Sequence, residues 1–159
     1  MIFVTVGTQL SFDRLIEAVD AWAGENPSES VFAQVGPGQY KTRYCQSAAF
    51  VPPNQANDLF LRADLIVSHA GMGSILTAMR YRKPILVMPR RASLGEHRNE
   101  HQLATAKWLH KKAGVFVAND ASDMSRLLSA RSNLTSGNGI SDYADVAFTD
   151  CLRDFIDMR

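Results

Sequence analysis

The apolar run Leu65–Ile66–Val67–Ser68 ends in His69, and Ala70–Gly71–Met72–Gly73–Ser74 follows before a helical pattern begins near Met72. Gly71 and Gly73 remove side chains where the chain turns from strand to helix, so a ligand can approach the backbone amides closely. The first amides of a helix, here from Met72 onward, lack intrahelical partners, and the macrodipole adds partial positive charge to them. Such a turn is suited to holding a phosphate or diphosphate. A side-chain N–H of His69 would join those amides on a phosphate oxygen, and the Ser74 hydroxyl would donate to the same anion. The competing reading is a tight turn whose glycines serve geometry alone, with His69 tied to nearby backbone and Ser74 to its own helix.

A second group of residues follows the apolar run Ile85–Met88. Arg90 and Arg91, with Arg98 soon after, offer paired N–H donors that suit phosphate or carboxylate groups. A solvated basic loop would account for them equally. Glu96, Glu100, His101 and Gln102 lie near a helix start, where their donors and acceptors match the hydroxyls of a sugar; His101 and Gln102 are the first choices. His97–Arg98–Asn99–Glu100–His101 also matches H-x-x-E-H, an inverted zinc-peptidase pattern with Glu100 as base. That reading needs a third ligand, and the chain after His101 contains no glutamate. The glycine turn is not the dinucleotide fingerprint, since Leu76 stands where a third glycine is needed, and it lacks the Gly-Lys-Ser/Thr ending of a P-loop. There is no Asp-x-Asp pair to hold a metal against a nucleotide diphosphate, so helix amides and basic side chains would have to neutralise it.

These residues must be positioned by the elements around them. Ile2–Val6 is a β-rich run ending at Gly7–Thr8, a second strand-end turn, and Ser11 is placed to cap the helix that follows. Phe12, Leu15, Ile16, Val19, Trp22 and Ala23 share one face of that helix. Val31–Val35 and Ala48–Val51 are predicted as the second and third strands, separated by the polar, basic stretch Gln39–Gln46. Asn54 would cap a helix carrying Ala56, Leu59, Phe60 and Ala63. The helix after the glycine turn is predicted to run to about Tyr81, another to begin near Asn99, and Val115–Val117 to be the sixth strand. Leu134–Ser141 is rich in Ser, Gly and Asn and is predicted as a flexible connection. The last helix shows the cleanest stripe, Phe148, Cys151, Leu152, Phe155 and Ile156. Apolar strands alternating with helices indicate a doubly wound α/β domain with a mainly parallel sheet, a single domain over 1–159 with a C-terminal helix. Ligands of such folds bind outside the carboxyl ends of the strands, where all the residues above converge.

A net charge of +1 gives no global field favouring nucleic acid. No apolar run approaches the roughly 20 residues that span a bilayer. The first residues go directly into a strand pattern without a signal-peptide pattern, and Cys45 and Cys151 are too few for a disulfide framework. The expectation is a cytoplasmic chain with reduced thiols.

Ser68–Ser74, Lys83–Pro84 and Glu96–His97 through His101–Gln102 together resemble the C-terminal, donor-binding domain of family 28 glycosyltransferases. Val4–Thr5–Val6–Gly7–Thr8 with Phe12–Asp13 resembles the stand-alone form of that domain, found in the split N-acetylglucosaminyltransferase of dolichol-linked oligosaccharide synthesis. Met88–Pro89–Arg90–Arg91 and Leu94–Ala106 are similar to bacterial exopolysaccharide transferase subunits, typified by the second subunit of a two-part glucuronosyltransferase. The resemblance implies one Rossmann-like half of a GT-B enzyme. This half binds a UDP-sugar, and a membrane-associated partner subunit binds a lipid-linked acceptor. Gly7 and Thr8 would approach the donor phosphates, His69, Gly71, Met72, Gly73 and Ser74 would hold the diphosphate, and His101 and Gln102 would meet the sugar. The implied chemistry is an inverting hexosyl or uronosyl transfer without metal or other cofactor, in exopolysaccharide synthesis. The general base would come from the partner, with His69 a weaker candidate. Thr77 stands where larger relatives carry a ribose-binding glutamate, leaving Glu96 or Glu100 as substitutes.

The same residues are compatible with a nucleotide-sugar-binding regulatory module without chemistry of its own. The leading reading places the chain at the inner face of the membrane through its partner, with the final helix forming part of the contact. Without that partner, a homo-oligomer would cover the exposed surface.

Overall fold

The computed structural model describes residues 1–141 and 143–158. Six strands, β1 (Ile2–Thr5), β2 (Val31–Gln34), β3 (Gln46–Ala48), β4 (Leu65–His69), β5 (Ile85–Met88) and β6 (Val115–Val117), form one sheet in the order β3-β2-β1-β4-β5-β6. Every pairing is parallel. The chain winds outward from β1 to β3, returns to β4 beside β1, then winds outward to β6. The order therefore reverses between β1 and β4, and a crevice opens at the carboxyl ends of these two strands. Their register pairs Thr5 with Ser68, so the turns at Gly7 and at His69–Gly71 leave the sheet side by side.

Alternation along each strand divides the apolar side chains between two cores. Ile2, Val4, Leu65, Val67, Leu86 and Met88 point to one face, while Phe3, Ile66, Ile85 and Val87 point to the other. The first face is covered by α1 (Asp13–Glu25) and α5 (Ala121–Ser129), through Leu15, Ile16, Val19, Trp22, Met124 and Leu128. The second is covered by α2 (Pro53–Arg62), α3 (Met72–Arg80) and α4 (His101–Leu109), through Phe60, Ile75, Ala78, Ala106 and Leu109. Strands buried on both faces are continuously apolar, which is why the sequence reveals them.

Five local expectations change. Helix α1 starts without the Ser11 cap, its N-cap being Phe12, and α2 opens on Pro53 at its first helical position rather than on an Asn54 cap. Helix α4 begins at His101, after a turn that contains Asn99. The third strand is Gln46–Ala48, earlier than Ala48–Val51, because an edge strand pairs through its backbone and needs no apolar side chains. The Val51 signal arises instead from burial beneath the crevice. The Leu134–Ser141 connection is also held to the domain at particular points: Leu134 is buried, and a Cβ at Gly114 (φ +84°) would meet the Gly137 nitrogen.

Helix α6 (Val146–Asp157) is capped by the Asp145 carboxylate, which accepts from the Ala147 N–H, yet it buries no residue. Phe148, Cys151, Leu152, Phe155 and Ile156 are all exposed. The stripe does not join the domain's own core. Among the described residues no helix is long and apolar enough to cross a membrane.

Candidate functional site

A cleft of about 490 Å³ lies at the carboxyl ends of β1 and β4, within the range of small-ligand sites. Its floor and walls come from Gly7–Leu10 after β1, Gln34 at the end of β2, Phe50 and Val51 before α2, and His69, Gly73, Ser74 and Thr77 around the β4–α3 turn. Arg90, His97 and Gln102 close the side toward β5.

The β4–α3 turn is built for close approach. Gly71 is the N-cap of α3 and supplies no side-chain cap; its own N–H is taken by the His69 carbonyl at 2.8 Å. The first helical bond runs from the Ile75 N–H to the Gly71 carbonyl, so the amides of Met72, Gly73 and Ser74 precede it. A Cβ on Gly73 would meet nothing within 4 Å, which leaves that position open to the cleft. The Met72 side chain is exposed and lies outside the cleft lining, so only its amide bears on the site.

His69 sits between two glycines that are needed for its ring. A Cβ on Gly71 would lie 2.2 Å from its Nε2, and one on Gly7 (φ +78°) would lie 2.9 Å from its Cε1. The Ser68 hydroxyl donates to the Thr5 carbonyl at 3.1 Å, so it can only accept from His69 Nδ1, 3.3 Å away. This arrangement assigns the ring proton to Nδ1 and leaves Nε2 as an acceptor. The imidazole pKa is pushed down to about 4, first by burial and then by the nearby Arg90 and His97, against a bond to Thr5 backbone that raises it. The ring is therefore neutral at pH 7. A donor N–H toward phosphate, the role expected of His69, requires a proton to be added at Nε2.

The loop after β1 is fixed from below. Gln34 Nε2 donates to the Gly7 carbonyl at 3.2 Å, and Arg90 donates to the carbonyls of Val6 and Leu10 at 2.8 and 2.7 Å. Arg90 is 3% exposed and stacks on Phe12. It lines the cleft, but one guanidinium nitrogen is committed to positioning the Gly7–Thr8 turn. Gln102, also buried, accepts the Arg90 backbone N–H at 3.1 Å and faces the cleft as expected.

Other candidates lie elsewhere. Arg91 donates to the Asn119 carbonyl, beyond the cleft lining. Arg98 is absent from the lining as well. Glu96 forms a two-bond pair with Arg14 at 2.7 and 2.8 Å and also accepts the Arg91 N–H. Glu100 accepts from the amides of Ala92 and Ser93 at 3.1 Å each. Both carboxylates hold the loop between β5 and α4, and neither lines the cleft. His101 is exposed, and its ring stacks on His97 at 6.0 Å; His97, not His101, lines the cleft. The H-x-x-E-H pattern also loses its geometry, because α4 starts at its last residue, and no group of three His, Cys, Asp or Glu among the described residues is arranged to hold a metal.

Sequence reasoning missed Gln34, Phe50 and Arg14. Phe50 is 58% exposed at the cleft wall, and a solvent-facing aromatic just before a Pro-Pro helix start is the signal that could have found it. Thr77 lines the cleft with its hydroxyl donating to the Gly73 carbonyl at 2.8 Å. Cys45 is buried with its thiol pushed up to about 12 by burial and by Asp20, which makes it unreactive.

A parallel sheet in this order, with a glycine-opened helix facing a cleft at its switch point, is a Rossmann-like domain. The chain belongs to the glycosyltransferase family 28 C-terminal domain, which residues 1–138 match. It is 34% identical over 125 residues to the UDP-N-acetylglucosamine transferase subunit ALG13 of Homo sapiens, covering 72% of this chain and 11% of that protein. The Mus musculus protein of the same name is 33% identical over 124 residues, covering 72% and 10%. The chain thus spans about a tenth of the length of these relatives. Among solved structures, the glycotransferase of kitacinnamycin superposes with a TM-score of 0.63 at 16% identity, covering 83% of this chain and 34% of that one. The solution structure of ALG13 superposes with a TM-score of 0.61 at 20% identity, covering 88% and 89%. These structural likenesses establish the fold.

Proposed function

We propose that this chain is the donor-binding subunit of a two-component, inverting glycosyltransferase that moves a sugar from a UDP-sugar to a lipid-linked acceptor. The observation that carries this reading is the open position at Gly73, where the unpaired amides opening α3 face a cleft shared with the Gly7–Thr8 turn. The diphosphate lies across those amides, with Ser74 and His69 beside it. The exposed ring of Phe50 offers a flat apolar surface to the base, and Gln102 and His97 face the sugar.

In the reaction the acceptor hydroxyl attacks the anomeric carbon, the bond to the diphosphate oxygen breaks, and UDP leaves with the electron pair. The α3 amides stabilise the charge growing on that oxygen, and they are already in place before the reaction starts. No metal takes part in this reading. The proton of the acceptor hydroxyl passes to a base on the partner subunit, since His69 Nε2 faces the phosphate site.

Because the human and mouse relatives are named as UDP-N-acetylglucosamine transferase subunits, UDP-N-acetylglucosamine is the first donor to test. The motif resemblance to exopolysaccharide subunits makes UDP-glucuronate the second. Its support is reduced to Arg90, the one of the three candidate arginines that lines the cleft. The partner is a membrane-associated acceptor-binding subunit, and the complex works at the cytoplasmic face of the membrane.

The test is calorimetric titration of the chain with UDP, UDP-N-acetylglucosamine and UDP-glucuronate, with and without chelator. Binding of UDP that survives chelation is expected, and loss of binding in chelator would overturn the metal-free mechanism. Turnover that appears only with the partner supports the two-component reading. UDP-sugar binding without turnover in the assembled pair would make the chain a regulatory module instead.

A further inference from the structure

We propose that the outer face of α4, with the lysine-bearing turn that follows it, is a contact surface for an anionic membrane leaflet, distinct from the apolar stripe of α6. The inner face of α4 is fixed by Gln102, Ala106 and Leu109, which are buried. The opposite face carries Ala104, Lys107 and Trp108, all exposed, with Leu103 on its flank, and the exposed Lys111 and Lys112 follow in the turn after the helix. Trp108 is 61% exposed, an unusual cost for so large an apolar ring on a chain whose other tryptophan, Trp22, is 1% exposed. The Lys112 ammonium lies 5.4 Å from the Trp108 ring centroid, which holds an apolar plate and a cation side by side at the surface.

The charge here is local. The chain as a whole carries only +1, yet residues 101–119 contain three lysines and two histidines and no aspartate or glutamate. None of the ion pairs among the described residues involves Lys107, Lys111 or Lys112. Their charge remains available to an external anion.

A bilayer suits this face better than the alternatives. Tryptophan ring and lysine stems are amphipathic, and both settle at the headgroup level with their polar ends in water. Lysines near an anionic leaflet each add attraction that decays within a Debye length. The groove between α4 and α5, lined by Leu103, Lys107, His110 and Arg126, exposes no row of aromatic rings on which successive bases could stack. Apart from Trp108 and Leu103, this face exposes no large apolar side chain of the kind a protein interface core requires. Helix α6 has the opposite character, with three aspartates against one arginine beside its apolar stripe, so an anionic surface would repel it.

The position has a consequence that rests on the proposed transfer reaction. Gln102, in the first turn of α4, lines the cleft, and Trp108 lies six residues further on, about 9 Å along the helix axis. Contact through Trp108 would keep the cleft within a short reach of a lipid-linked acceptor even before a partner closes over it.

The experiment is co-sedimentation of the full chain with phosphatidylcholine vesicles and with phosphatidylglycerol-rich vesicles, read together with tryptophan emission. Because Trp22 is buried, a blue shift on adding vesicles reports Trp108. The expected result is binding and a blue shift with the anionic vesicles only, weakened by added salt. Replacing Lys107, Lys111 and Lys112 together by Glu should lower the partition at least about tenfold, and Trp108→Ala should lower it while abolishing the shift. All four side chains are exposed, and unchanged UDP binding and circular dichroism in both variants would show that the fold is intact. Equal binding to both vesicle types, no binding, or variants that bind like the parent would each overturn the proposal. So would binding of a single-stranded oligonucleotide with none to vesicles. Loss of UDP binding in the parent chain with vesicle binding retained would instead remove the glycosyltransferase reading and leave this one standing.

Discussion

At the scale of single residues, the site is governed by what is absent at Gly73 and by the state of His69. A Cβ at position 73 would meet no protein atom within 4 Å, so a valine there would project into the cleft beside the α3 amides. Gly73→Val is therefore expected to abolish UDP binding while the melting temperature stays within about 3 °C of the parent, the range of a surface substitution. Calorimetry and thermal melting of one sample check both halves. His69 makes binding depend on pH. Its pKa of about 4 in the free fold lies below that of an unfolded histidine. Between about pH 6.5 and 4 the unfolded chain therefore binds more protons, and stability falls as pH is lowered through that window. A diphosphate beside Nε2 favours the imidazolium and raises its pKa, so UDP binding should take up a proton and tighten as pH falls from 7 toward 5. Titrations in buffers of different ionisation enthalpy read that uptake directly. His69→Asn should remove both the uptake and this part of the acid destabilisation, and an affinity that is flat with pH would show that the ring stays clear of the phosphate.

At the scale of elements, charged groups drawn from α1 staple the loop beside the cleft and the connection that leads into β3. Arg14 reaches from α1 to Glu96, to the Pro89 carbonyl and to Met88 Sδ, and so fixes the loop that carries Arg90 and His97. The pair is largely shielded from solvent, so Arg14→Ala is expected to cost about 2 kcal/mol and to open that loop. Urea unfolding measures the first effect, and faster tryptic cleavage at Arg91 or Arg98 measures the second. Asp20, fully buried on the same helix, accepts from the amides of Arg43, Tyr44 and Cys45 and from the Tyr40 hydroxyl. Burial raises its pKa, but those bonds together outweigh burial and hold it below the usual carboxylate range. Asp20→Ala leaves several donors without an acceptor and should destabilise the fold by about 3 kcal/mol or more in the same assay. The stability Asp20 contributes is present above the unfolded carboxylate pKa and is lost as pH falls through the folded one.

At the scale of the whole molecule, the domain is a sheet with a core on each face and one helix that neither core uses. Since α6 buries none of its residues, ending the chain at Ala144 should leave melting temperature and UDP binding unchanged within about 3 °C and about twofold, respectively. The same truncation should abolish assembly with the acceptor-binding subunit, measured by co-purification of the two chains. A truncated domain that unfolds would mean that α6 serves its own fold, and one that still assembles would place the contact elsewhere.

The sequence by itself determined the doubly wound sheet and the glycine turn. Strands buried on both faces must be apolar throughout, and a strand-to-helix turn that admits an anion must lack side chains. Both demands act on local residues, and both are written in consecutive positions from Leu65 to Leu76. The tertiary structure decided which polar side chains the site could use. Glu96, Glu100 and Arg91 have the right chemistry for a sugar or a phosphate, but each is held in a loop contact outside the cleft lining, one of them to Arg14, 82 residues away. Gln34 and Phe50 enter the cleft only because β2 lies beside β1 and α2 starts beneath it. The proton on His69 is likewise placed by the register that sets Ser68 opposite Thr5. A residue type states which bonds a side chain can make, but packing across the sheet settles which partner arrives first.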